Sequence, residues 1–344
     1  MNYGLALDLG CANWLATTPV DSKIYREPSV IAIHRRNGSI LAIGKEAIAP
    51  NFSPGHEAAM LRPFRNGLTS NCDITYHVMH TMLMRSFGKD FRGERLLLSV
   101  PCSISDAEEL ALVETAMKTG VKSCHLIYSP IAAMSAEYIS PFEHCILVDM
   151  GAVRTNIMVL SGGKIIYRRT IMVGGESFDG ALAQYLLDNQ GVYIGMRAAE
   201  QLKLKGGTVF DDGVKIPSQT VVGKDAQTGQ EVTITVTAED MYRAFEQPMA
   251  DILDPICVAI MKIPMPLVER VLQTGITLCG GCAALHGMQP MIEGVTGVHT
   301  SLASHPADAV AMGMATILPD LPQKIPSGIR NISSIYIENF LASK

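Results

Sequence analysis

Tyr3-Gly4-Leu5-Ala6-Leu7-Asp8-Leu9-Gly10 and, far downstream, Cys145-Ile146-Leu147-Val148-Asp149-Met150-Gly151 decide how this chain is read. Each is an apolar run closed by an acid and a glycine, the pattern of a buried strand that ends in a tight turn. Each is followed by a candidate return strand, Cys11-Ala12-Asn13-Trp14-Leu15 after the first and Asn156-Ile157-Met158-Val159-Leu160 after the second. The interval is far too long for a solenoid repeat and suits a duplicated domain. Two related α/β halves are therefore expected.

The segments between the two copies fit this reading. Arg95 to Val100 reads as a strand, and Ser105-Asp106-Ala107-Glu108 as a capping box that opens a helix running to Gly120. Ser123 to Tyr128 is a further strand, leading through Ser129-Pro130 into an alanine-rich helix. In the second half, helices are expected over 178–189, 196–204 and 238–260. Strands alternating with helices at this spacing imply largely parallel sheets covered by helices. Residues 29–62 and 205–236 break the rhythm with short strands, Gly and Pro, and each reads as a smaller insert carried on its half.

Composition bounds the function. The chain has 344 residues, 48% of them hydrophobic and 18% charged, which is ample for two packed cores. With 28 basic against 33 acidic side chains the net charge is −5, and nucleic acid is not an expected partner. The 8 cysteines are scattered and no secretory signal is read at the start, so a reducing cytoplasm is expected. Cys279 and Cys282 are close enough for a redox pair or half a zinc site, but without a second Cys/His pair they read as small buried hydrophobes.

An acid and a glycine at a strand's carboxyl end can place backbone N–H groups around a phosphate while the carboxylate reaches a metal's water shell. Asp8 with Gly10 and Asp149 with Gly151 supply two such turns. A third, Leu278-Cys279-Gly280-Gly281-Cys282-Ala283-Ala284-Leu285, follows an apolar strand and is expected to open a helix over 283–288. That arrangement is an anion platform, or merely close packing of helix on sheet.

With these residues in view, the chain resembles the actin-like ATPases, and most closely the bacterial rod-shape MreB proteins, over nearly its whole length. Asp8 to Asn13 matches the family's first phosphate loop, Glu27-Pro28-Ser29-Val30 the strand beyond it, and Arg62-Pro63-Phe64-Arg65-Asn66-Gly67 the re-entry into the first domain. Val173-Gly174-Gly175-Glu176-Ser177-Phe178-Asp179 is similar to the Gly-Gly-x-x-Phe-Asp turn. Ala199-Glu200-Gln201-Leu202-Lys203 resembles the helix segment that holds ribose and base, and 278–285 the adenosine turn. The resemblance implies the actin-like fold: an α/β protein of two duplicated ribonuclease-H-like halves around a nucleotide cleft, each with a smaller inserted subdomain. Residues 1–30, 67–142 and 318–344 would form the first large subdomain and 31–66 the first small one. Residues 143–180 and 247–317 would form the second large subdomain and 181–246 the second small one.

The resemblance further implies ATP or ADP with Mg²⁺, held by Asp8, Gly10, Cys11, Ala12, Asn13, Asp149, Gly151, Arg154, Thr155, Gly174, Gly175, Glu200, Lys203, Gly280 and Gly281. Asp8 and Asp149 would reach the metal through water. Departures accompany it. Cys11 stands where relatives carry Thr, and Asp149-Met150-Gly151-Ala152-Val153-Arg154-Thr155 replaces a glycine-rich loop, with Arg154 as a candidate cation for the phosphates. Tyr128-Ser129-Pro130 replaces a Glu-Glu-Pro segment, leaving Ser129 as a candidate to orient water where the family has an acid. Weak or slow hydrolysis is expected.

The function implied is a filament of identical subunits that organises cell shape or intracellular position at the inner face of the cell membrane, with cell-wall or organelle-organising partners. A specialised scaffold with a degenerate nucleotide site, such as an organelle-aligning filament, is the alternative. A small-molecule kinase or chaperone ATPase is disfavoured, because no long substrate-binding extension or sugar-binding insert is evident. Arg85 to Arg92, with Phe87 and Phe91 among cations, is the expected membrane-contact loop, unless it is an ordinary exposed hairpin turn.

Overall fold

The first apolar run forms β1 (Leu5–Leu9), which turns at Gly10 into β2 (Asn13–Thr17) and then β3 (Tyr25–Pro28). The structure, a computed structural model, describes residues 4–18, 23–52, 55–65, 67–88, 95–137, 144–210, 215–320 and 331–333. The chain divides into two compact units: residues 1–142 together with 308–344, and residues 143–307.

In the first unit, β4 (Ile31–His34), β5 (Ile40–Ile43) and β6 (Ala58–Leu61) make a small sheet of their own, in the order β5-β4-β6. α1 (Cys72–Phe87) follows, its first turn capped by the Asn71 side chain, which accepts from the Ile74 N–H. Thr75, Val78, Met79, Met82 and Leu83 recur at helical spacing and form its buried stripe. Next come β7 (Arg95–Val100), α2 (Asp106–Met117), β8 (Ser123–Tyr128) and α3 (Ser129–Ala136). The capping box at α2 is complete, with the Ser105 hydroxyl and the Glu108 carboxylate each accepting from the other's backbone N–H.

The second unit opens with β9 (Cys145–Met150), β10 (Thr155–Ser161) and β11 (Lys164–Ile171), then α4 (Gly175–Gln190), β12 (Val192–Tyr193) and α5 (Met196–Gly206). β13 (Gln219–Asp225) and β14 (Glu231–Val236) join β12 in a second small sheet. α6 (Ala238–Met261), α7 (Met265–Thr274), β15 (Ile276–Cys279), α8 (Met288–Thr296) and β16 (Thr300–Leu302) complete it, and α9 (Ala309–Asp320) belongs to the first unit. Phe178 of α4 and Phe245 of α6 meet edge to face in the core of the second unit, with ring centroids 5.2 Å apart.

Among the described residues the large sheets run β3-β2-β1-β7-β8 in one unit and β11-β10-β9-β15-β16 in the other. In both, the first three strands are antiparallel and the rest pair in parallel, so the duplication read from two aspartates extends to whole sheets. The return to the first unit lies at Asp308, ahead of the 318 expected, because α9 packs on α3, β1 and β2. Asp308 itself is paired with Arg26 of β3. Gly313 of α9 passes so close to Ala132 of α3 that any Cβ would overlap its carbonyl oxygen. Near the end of the described chain, the Ile332 N–H donates to the Leu126 carbonyl and the Ser333 hydroxyl accepts from the Tyr128 N–H, along β8.

Candidate functional site

Parallel strands gather their carboxyl ends on one side of a sheet, and ligands of open α/β sheets bind there. In the first unit that edge carries Asp8, Ser99 and Ser129, at or just beyond the ends of β1, β7 and β8. The Ser99 hydroxyl donates to the Asp8 carboxylate across the β1–β7 pair. Gly10 closes the hairpin so tightly that a Cβ would lie 2.8 Å from the Asn13 carbonyl oxygen. Ala12 accepts from the Ser29 N–H, which ties the turn to the chain beyond β3. Cys11 is buried and its thiol donates to the Phe64 carbonyl at 3.3 Å, so its side chain serves the core and only its backbone is offered by the turn. Ser129 is the first residue of α3 and is buried.

The second unit repeats the design. Asp149, the penultimate residue of β9, is buried and accepts from the Asn156 side-chain amide at 3.1 Å across the hairpin. The Gly151 N–H donates to the Arg154 carbonyl and closes the turn. Behind it the N–H groups of Gly175 and Glu176 donate to the carbonyls of Gly151 and Ala152, so the first turn of α4 holds the loop from the back. Gly174 is required there, since a Cβ would lie 2.6 Å from the Gly151 oxygen. Gly174 and Gly175 thus position the loop, a support role the spacing alone did not reveal. Thr155 is fully buried and its hydroxyl donates to the Val173 carbonyl at 2.8 Å, again a bond that shapes the loop.

The turn after β15 lies beside Asp149, because Cys279 pairs with Asp149 in parallel register. Gly280 has φ of +86° and sits against the Met150 backbone, where any side chain would clash. The helix expected over 283–288 is absent: a single 3₁₀ turn spans Gly281–Ala284, and α8 starts at Met288 after a left-handed Gly287. The turn presents no extended helix dipole, and the Gly280 N–H is already engaged, donating to the Pro306 carbonyl at 2.7 Å.

Glu200 and Lys203 stand on α5. The Lys203 ammonium lies 2.7 Å from the Asp179 carboxylate and donates to the Gly175 carbonyl at 2.7 Å. Burial raises the Asp179 carboxyl to about 6, with Lys203 pulling it back down and Glu200 and Glu176 adding to the rise. Burial likewise pushes the Cys282 thiol up to about 12, so it is a neutral, unreactive group at neutral pH. Cys279 and Cys282 are both buried, the packing position expected of them.

The expected membrane loop needs correction. Arg85, Ser86 and Phe87 are the last turn of α1, not part of a hairpin. Phe87 is half-buried, edge-on to the Tyr25 ring at 5.9 Å, and Arg85 pairs with Glu46 and Glu27. A helix that runs on to Phe87 turns both side chains toward the rest of the unit. Phe91 lies outside the described residues.

The MreB/Mbl protein family model matches residues 2–325. The chain belongs to the MreB/Mbl family. Curated relatives agree: the cell shape-determining protein Mbl of Bacillus cereus is 31% identical over 322 residues, covering 92% of this chain and 96% of that one. The cell shape-determining protein MreB of Escherichia coli is 28% identical over 318 residues, covering 90% and 91%. Among solved structures, MreB 5 of Spiroplasma citri bound to AMPPNP superposes with a TM-score of 0.85 at 23% identity, covering 91% of this chain and 95% of that one. The MamK double helical filament superposes with a TM-score of 0.78 at 19% identity, covering 92% and 99%. The fold is actin-like, and the chain is an MreB-like cytoskeletal protein. Among the described residues no helix is long and apolar enough to cross a membrane.

Proposed function

We propose that this MreB/Mbl member binds ATP and ADP with Mg²⁺ and polymerises into filaments, at the inner face of the cell membrane, that organise cell shape or intracellular position. The observation that carries the reading is the repeated strand, acid and glycine turn, Asp8 to Asn13 in one unit and Asp149 to Thr155 in the other, each at the carboxyl end of equivalent sheets. MreB 5 of Spiroplasma citri bound to AMPPNP and the MamK filament support it by likeness of fold.

The residues suit the ligand. Asp8 and Asp149 offer hard carboxylate oxygens of the kind Mg²⁺ takes through its water shell. Gly10 and Gly151 allow the backbone to approach phosphate, Gly280 and Gly281 allow it to approach the adenosine, and Ala12, Asn13 and Arg154 complete the phosphate turns. Magnesium would neutralise charge on the phosphates. Ser129 places a hydroxyl where relatives carry a carboxylate, and a hydroxyl is a weak general base, so hydrolysis is slow. Partners that build the wall or position organelles would read the polymer, not the monomer.

The test is calorimetry with ATP and Mg²⁺ on the wild type and on Asp8→Ala and Asp149→Ala, alongside pelleting and phosphate release. Loss of one water-mediated metal contact should weaken affinity by about tenfold or more in either variant, since a hydrogen bond to a charged group contributes roughly 1.5–3 kcal/mol. The wild type should pellet with ATP and release phosphate slowly. Unchanged affinity in both variants would overturn the assignment of the site, and a wild type that never pellets would overturn the filament.

A further inference from the structure

Asp179 lies outside the residues that the sequence marks for the ligand, yet it holds one that lies inside them. It stands in α4 with its side chain 4% exposed, paired with the Lys203 ammonium, itself 10% exposed. The same ammonium donates to the carbonyl of Gly175, in the first turn of α4. An ammonium has three N–H donors. One of them is committed to Gly175, and the Asp179 carboxylate 2.7 Å away holds the head group by charge, whereas a lysine without such ties samples many rotamers.

The pair is not explained by packing. A buried ion pair is weak evidence for stability, and apolar side chains of similar volume commonly serve a core as well or better. The surroundings oppose the charge: burial disfavours the Asp179 carboxylate, and Glu200 of α5 and Glu176 of α4 face it with like sign. Cys282, from the turn after β15, also faces the pair but stays neutral. Titratable groups kept in opposing surroundings cluster at functional sites.

We propose that Asp179 is a positioning residue for nucleotide binding: its carboxylate holds the Lys203 ammonium against the Gly175 carbonyl, so that the ammonium is kept in place for the ribose of a nucleoside di- or triphosphate. This rests on the reading of the chain as a nucleotide-binding protein. It adds a regulatory consequence. Protonation removes the charge that holds Lys203, so nucleotide affinity falls as pH drops through about 6. Because the ligand favours ionised Asp179, binding near that pH releases a proton from the protein.

Calorimetric titration with ADP between pH 5 and pH 8 tests this on the wild type, Asp179→Asn and Asp179→Glu. At pH 7.5 Asp179→Asn should bind about tenfold more weakly, the size expected for one charge-assisted hydrogen bond. The wild-type curve should fall toward that of Asp179→Asn at acid pH, and Asp179→Glu should regain a pH-dependent affinity. The phosphates of ADP titrate identically in all three titrations, so the difference between profiles reports the protein group. Should Asp179→Asn fail to fold by circular dichroism, wild-type proton release at pH 6, measured in buffers of different ionisation enthalpy with adenosine, which carries no titrating phosphate, decides in its place, and its absence would overturn the proposal. Profiles of wild type and Asp179→Asn that coincide, or differ by a constant factor at every pH, would also overturn it. A wild type that binds no ADP at any pH would overturn the nucleotide reading itself, and this inference with it.

Discussion

At the scale of single residues, the glycines of the site differ in what they do. Gly280 alone among the ligand turns combines a positive φ with a backbone neighbour, since a Cβ would sit 2.3 Å from the Met150 carbonyl oxygen. Neither the dihedral nor a backbone atom yields easily, so Gly280→Ala should destabilise the second unit by about 2 kcal/mol or more. Urea unfolding followed by circular dichroism would show it, and a midpoint equal to wild type would mean that the turn relaxes freely. Asp8 and Asp149 were legible in the sequence because each closes an apolar run. The bonds of Cys11 to Phe64 and of Thr155 to Val173 were not, because each joins a side chain to the carbonyl of a residue well removed along the chain. The Asp179–Lys203 pair escaped for the same reason: periodicity places residues on a helix but says nothing about which neighbouring helix they meet.

At the scale of elements, the capping box at Ser105 announced its helix, and α2 begins at Asp106 as the box requires. The helix expected over 283–288 failed because Gly287 adopts a left-handed conformation that breaks it, and sequence patterns weigh apolar spacing above such single dihedrals. α9 was harder to assign to a unit: its residues 309–320 are apolar on most sides, so no polar face marks which sheet it covers. The contact that decides is small-residue packing, Gly313 against the Ala132 carbonyl of α3. Gly313→Ala should force the two helices apart and cost about 1–3 kcal/mol, the usual range for overpacking a filled core. Thermal unfolding measures this, and a melting temperature equal to wild type would show that α9 shifts without penalty.

At the scale of the molecule, polymerisation changes what weak contacts achieve. A single aromatic at a membrane interface contributes roughly 1.5–3 kcal/mol if fully inserted, which is marginal for one subunit, but a filament repeats it along its length. Phe87 packs against Tyr25, so a test of the expected membrane segment falls on Phe91. Polymers of Phe91→Ser should co-sediment with anionic liposomes several-fold less than wild-type polymers. Equal lipid binding would remove this segment as the anchor.

The first unit is assembled from two stretches of chain with the whole second unit between them. A ribosome delivers residues in order, so residues 143–307 have all been made before α9 and the 331–333 segment can reach α3 and β8. Until then Ala132 and its neighbours on α3 lack the helix that covers them, and the β8 edge stands open to any other extended strand. The later unit in sequence therefore has its full complement of residues first, and the earlier one waits longest in the incomplete form that is prone to mispairing.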